Sequence, residues 1–88
     1  MKKEDRNNFV YTRHVLSRMA ERNITKEEVK SVIRNPEHEE QDGGSTRSFK
    51  TKEIISGKIK NQIVVIWTQN SKKQIIIKTT FYKNIKFK

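Results

Sequence analysis

The chain lacks cysteine altogether. Disulfide stapling and thiolate metal sites are therefore excluded, and a reducing, cytoplasmic setting is the expectation. One proline and three glycines in 88 residues leave few positions that force a turn, and no glycine-rich loop suited to cradling phosphate. No apolar run approaches the roughly 20 residues of a membrane-spanning helix. The first eight residues, MKKEDRNN, bring no apolar signal core, so export by a signal peptide is not expected. No paired zinc-ligand motif and no serine-nucleophile elbow occurs. The set Glu37-His38-Glu39-Glu40 is too weak a pattern for a metal site. No cofactor is implied.

Acid is missing from one half. Residues 1–42 carry nine Lys/Arg and nine Asp/Glu, whereas residues 43–88 carry eleven Lys/Arg and a single acid, Glu53. The whole net charge of +10 therefore belongs to the second half. A field of this kind favours a polyanion through attraction and counterion release. RNA, DNA and an acidic protein are the natural partners. A membrane surface is a poorer fit, because no stretch forms a basic amphipathic helix.

The length suits one small domain, read as residues 9–88, behind a flexible N-terminal segment, residues 1–8. A helix is expected from about Thr12 to Arg22, with Val15, Leu16, Met19 and Ala20 as its apolar stripe. Asn23 can end it in the left-handed conformation. Thr25 and Glu28 form a T-x-x-E capping box for a second helix. Ile24 staples to Val29, Val32 and Ile33 continue the inner face, and Asn35-Pro36 stops it. After the acidic connector 37–42, a candidate edge strand, and the Gly43-Gly44-Ser45 turn, the period becomes two. Strands are expected near 46–51, 53–59, 62–68 and 74–82, with turns at Lys60-Asn61 and at 70–73. Ile63 to Trp67 reads as a central strand, with Trp67 in the core. The resulting fold class is α+β: two N-terminal helices packed on a four-stranded, mainly antiparallel sheet.

Functional interest falls first on the leading helix. His14, Arg18 and Arg22 recur every fourth residue and so form one row. An imidazole moves protons near neutral pH, and a guanidinium forks onto a phosphate. A solvated helix edge is the plainer reading. In the last strand, simple alternation sends Gln74, Ile76, Lys78, Thr80 and Tyr82 to one face and Ile75, Ile77, Thr79 and Phe81 to the other. Tyr82 is suited to stack on a base or bind a phosphate. Arg47, Lys50 and Lys78 are further candidate RNA contacts, while the remaining lysines, Lys52 among them, read as a diffuse electrostatic footprint.

The segment from Tyr11 through His14, Arg18-Met19, Glu21-Arg22 and Ile24-Thr25, followed by Glu28-Val29 and Arg34-Asn35-Pro36, resembles the bacterial family "domain of unknown function 4258". The resemblance runs from about Phe9 to Tyr82. It implies kinship with small ribonuclease-like folds that include the RelE and BrnT toxins. It further implies a metal-independent endoribonuclease acting as the toxin of a toxin–antitoxin pair. RNA would be the substrate and an acidic antitoxin the partner. The matching positions give His14, Arg18 and Thr79 or Thr80 as catalytic residues, to which the residue-level reading adds Tyr82. On this basis His14 would act as general base on the RNA 2′-OH. A non-catalytic basic module that binds RNA or an acidic protein is the alternative.

Overall fold

The computed structural model describes the backbone of residues 8–86 and the side chains of residues 8–84. Its elements are β1 (Phe9–Tyr11), α1 (Arg13–Arg22), α2 (Lys26–Arg34), β2 (His38–Asp42), β3 (Ser45–Ser56), β4 (Ile59–Gln69) and β5 (Ile75–Lys86). The expected flexible segment, residues 1–8, lies outside the described residues except for Asn8. That residue is held, because its carbonyl accepts from the Ile75 amide at 2.6 Å.

The helices follow local chemistry closely. Thr12 caps α1 by accepting from the Val15 amide, and Asn23 closes it at φ 55°. Thr25 and Glu28 complete the capping box of α2 in both directions. The buried stripe of α1 is narrower than expected. Val15 and Met19 are in the core, but Leu16 is 40% exposed and Ala20 is exposed. These two lie about 100° further round the helix than the pair that meets the sheet.

The four-stranded expectation is corrected. The sheet has five strands in the order β1-β5-β4-β3-β2, and it is mixed, because β1 pairs in parallel with β5. The helices therefore do not simply precede the sheet: one edge strand comes before them. Phe9-Val10-Tyr11 is too short a run to show a period of its own, so it is invisible as a strand in the sequence. β2 is the acidic edge strand, and β4 is central, with Ile63, Val64, Val65 and Trp67 buried.

Three register irregularities reorganise the second half. The segments expected at 46–51 and 53–59 belong largely to the single strand β3, whose pairing with β4 shifts at Lys52 and again at Ile55. The turn falls at Gly57-Lys58, and Lys60-Asn61 lies within β4. In β5, Lys78 is an extra residue, since Trp67 pairs with Ile77 while its neighbour Ile66 pairs with Thr79. An extra residue reverses the alternation beyond it. Ile75 and Ile77 consequently share the helix-facing side with Thr80 and Tyr82, opposite Val65 and Ile63. Thr79 and Phe81 turn to the other face. The simple alternation read from the sequence is overturned from Lys78 onward.

The main core lies between the helices and the sheet. It includes Val15, Met19, Ile24, Val29, Val32 and Ile33 from the helical side, against Ile63, Val65, Trp67, Ile75 and Ile77. The indole N–H of Trp67 donates to Ser48 Oγ at 2.9 Å, which satisfies its one polar atom inside the core. Among the described residues no helix is long and apolar enough to cross a membrane.

Candidate functional site

The polar row of α1 is not uniform. Taking Val15 and Met19 as the core direction, Arg22 lies only about 20° from Val15, whereas His14 lies about 100° away. Arg22 is therefore the member of the row that reaches the sheet. Its Nη1 donates to the Thr80 carbonyl at 2.8 Å. Arg18 is half-buried and pairs with Glu21 at 3.3 Å within its own helix. His14 is exposed. Two helical turns separate it from Arg22, about 12 Å along the axis.

Arg22 instead belongs to a cluster made where α1 hands over to α2. The Tyr82 hydroxyl donates to the Asn23 carbonyl at 3.2 Å and accepts from Lys52 Nζ at 2.8 Å. Lys52 also pairs with the Glu28 carboxylate at 2.9 Å, and its ammonium stands 5.1 Å from the Tyr82 ring centroid. Glu28 in turn accepts from the Thr25 amide. The capping box thus does two jobs: it starts α2 and fixes the carboxylate that orients Lys52. Beside it an open cavity of about 120 Å³ is lined by Glu28, Ser31, Val32, Lys50, Thr51 and Ile63. Lys50 enters this wall by donating to Ser31 Oγ at 2.6 Å.

The charges are tuned by these contacts. Hydrogen bonds to Tyr82 and Glu28 raise the Lys52 pKa well above its ordinary value, so the ammonium keeps its charge. Burial pushes the Glu28 carboxyl up, but hydrogen bonds from Lys52 and the Thr25 amide outweigh it, and the net direction is down. In β1, burial raises the Tyr11 hydroxyl pKa, with Glu27 adding to the effect.

The remaining sequence candidates are scattered. Thr80 is fully buried, and its hydroxyl donates to the Val64 carbonyl at 2.9 Å. It braces the sheet and offers no hydroxyl to a ligand. Thr79 is half-buried on the face away from the helices, so neither threonine joins His14. Arg47 is engaged by the acidic edge strand, 2.6 Å from Asp42 and 3.8 Å from Glu40, two carboxylates against the one that meets Lys52 or Arg18. Lys78, the extra residue of β5, donates to Ser45 Oγ at 2.9 Å. Among the described residues no three His, Asp or Glu side chains gather where a metal ion would be held.

Sequence reasoning passed over Lys52 as one lysine among many and saw Glu28 only as a cap. The single available signal was the Thr25–Glu28 box, which fixes where that carboxylate stands. The irregularity in β3 that brings Lys52 beneath it has no sequence signature.

Fold and site together define a small α+β domain, two helices on a mixed sheet, with a cationic, tyrosine-bearing cluster at the helix junction. The chain belongs to the family described as Domain of unknown function (DUF4258), which matches residues 11–82. No curated protein and no solved structure matches it.

Proposed function

We propose that this domain binds RNA and cleaves it as a metal-independent endoribonuclease, in the manner of a RelE- or BrnT-like toxin of a toxin–antitoxin pair acting in the cytoplasm. The observation that carries the reading is the convergence of Arg22, Lys52 and Tyr82 at the border of the basic half. Lys52 and Tyr82 share a hydrogen bond, and Arg22 is anchored separately on the Thr80 carbonyl of the same strand as Tyr82; two cations and a phenol so placed are suited to grip a phosphodiester. Arg18 and His14 extend the row along α1, so that a strand laid over the helix meets polar side chains suited to phosphate and ribose at successive turns.

In the proposed reaction the ribose 2′-oxygen attacks the adjacent phosphorus and the bond to the 5′-oxygen breaks. The products are a 2′,3′-cyclic phosphate and a free 5′-hydroxyl. His14, beside Arg18, takes the 2′-hydroxyl proton, the Arg18 guanidinium stabilises the oxygens of the attacked phosphate, and the departing 5′-oxygen takes its proton from water. At about 12 Å from Arg22, His14 serves a different phosphate from the one held at Tyr82. The Arg22–Lys52–Tyr82 cluster therefore positions the neighbouring nucleotide.

The test is cleavage of single-stranded RNA in EDTA by the wild type and by His14→Ala, Arg22→Ala and Tyr82→Phe. Product ends are read as cyclic phosphates. Loss in His14→Ala with weakened binding in the other two is expected. Equal cleavage by all four proteins would remove both groups from the reaction.

One observation favours a second reading, a basic module that binds and does not cut. Arg22, Lys52 and Tyr82 are all engaged within the protein, as befits a positioned binding surface. Tight, salt-sensitive binding that leaves RNA intact would select this reading over the first.

A further inference from the structure

The β3–β4 hairpin carries the most exposed large apolar side chains among the described residues. Ile54 is 61% exposed and Ile55 is 54% exposed. They stand together because the pairing of β3 with β4 shifts at Ile55, so an extra residue brings adjacent side chains out. From Glu53 through Lys58 every residue is exposed. The outer edge of β3 is also open here. β2 pairs with Ser45 to Phe49 only, so beyond Phe49 the described strand pairs with β4 alone. Half of the main-chain amides and carbonyls of such an edge point away from the sheet.

We infer that the β3 edge from Lys50 to Ser56 is a docking site for an extended acidic segment of a partner protein, which adds as a strand and covers Ile54 and Ile55. The charge sets the sign of the partner: Glu28 already meets Lys52 and Glu37 meets Thr51, so the positive excess lies with Lys50, Lys58 and Lys60, against Glu53, the one acid of residues 43–88. A second copy of this chain would bring the same lysines against these and be repelled. RNA would leave the isoleucines without apolar cover, since the tip offers no aromatic ring on which a base could stack. A lipid surface would accept the isoleucines but not the open main-chain groups, which need hydrogen-bond partners. An extended acidic peptide with alternating apolar residues answers all three features at once. The inference does not depend on RNA cleavage.

The test uses the full chain and an eight-residue peptide alternating glutamate with valine, with blocked ends. Amide shifts are followed by NMR and affinity by calorimetry. The expected result is saturable binding, with the largest shifts between residues 50 and 56. The double variant Ile54→Thr/Ile55→Thr keeps strand-forming residues and should bind at least tenfold more weakly. The same peptide N-methylated at alternate amides should not bind, a control that needs no change in the protein. Three outcomes overturn the inference: no binding of the peptide, equal binding of the N-methylated peptide or by the double variant, or shifts at the amides of residues 53–56 caused instead by polyuridylate or by phosphatidylserine vesicles. RNA cleavage by the double variant, measured in parallel, separates this result from the fate of the nuclease reading.

Discussion

Arg22 and Thr80 are 58 positions apart in the chain, and the arginine closes onto the threonine's main-chain carbonyl at 2.8 Å. The contact lies just beyond the short strand β1, which covers only Ile75 to Ile77 of β5. A carbonyl on an otherwise unpaired stretch of that edge thus receives a charged donor from α1. The helix end is fastened to the sheet at the point where the candidate site begins.

Arg22→Ala should therefore act on stability as well as on RNA. A hydrogen bond from a charged group contributes about 1.5–3 kcal/mol, and Arg22 is half-buried. We expect a loss near the lower end of that range in urea unfolding. Arg22→Lys should recover part of it, because an ammonium still donates but without the guanidinium's fixed geometry. A variant as stable as wild type would show that the clamp contributes nothing to the fold.

Thr80→Val and Tyr82→Phe separate scaffold from site. The first removes a buried hydroxyl that donates to the Val64 carbonyl and should cost about 0.5–1.5 kcal/mol while leaving RNA affinity within twofold. The second removes a half-buried hydroxyl that links Asn23 and Lys52. It should weaken RNA binding severalfold with a smaller loss of stability. The reverse pattern would return the threonine to the functional site.

Legibility in the sequence follows the range of the interactions. The Thr25–Glu28 box and the Asn23 cap were readable because each is complete within four residues. The central position of β4 was readable because Ile63 to Trp67 is unbroken. The fifth strand was not, since three residues cannot display a period and the partner of Phe9 is Ile75. Nor was the face of Thr80, because one extra residue at Lys78 reverses everything after it. The family was legible from the His14–Thr25 motif, whereas the Lys52–Glu28–Tyr82 grouping depends on three segments meeting in space.

Salt dependence checks the proposed phosphate contacts. Each lysine or arginine that neutralises a phosphate of a single strand contributes about 0.7 to the slope of log affinity against log salt. Lys50→Ala, on the cavity wall, should lower the magnitude of that slope by about this amount. Arg47→Ala should barely alter it, because Asp42 and Glu40 already occupy the guanidinium. Equal changes for the two variants would mean that the acidic edge strand does not screen Arg47.

Acid should loosen the helix junction through Glu28. Hydrogen bonds from Lys52 and Thr25 hold the Glu28 carboxyl below its ordinary value of 4.5. A carboxyl lowered in the folded state contributes stability that is complete above the unfolded value and is lost as pH falls through the folded one. Lys52 behaves in the opposite sense: raised above 10.5, it contributes fully below that value, and its share is lost only as pH rises through the raised one. The Glu28–Lys52 pair is thus intact across the neutral range and fails first on the acid side. Urea midpoints measured from pH 7 downward should fall below about pH 4.5 in the wild type. In Glu28→Gln the midpoint should start lower at pH 7 but decline less steeply, since glutamine can still accept from the Thr25 amide and does not titrate. Parallel acid limbs in the two proteins would show that Glu28 is not among the groups whose protonation loosens the helix junction.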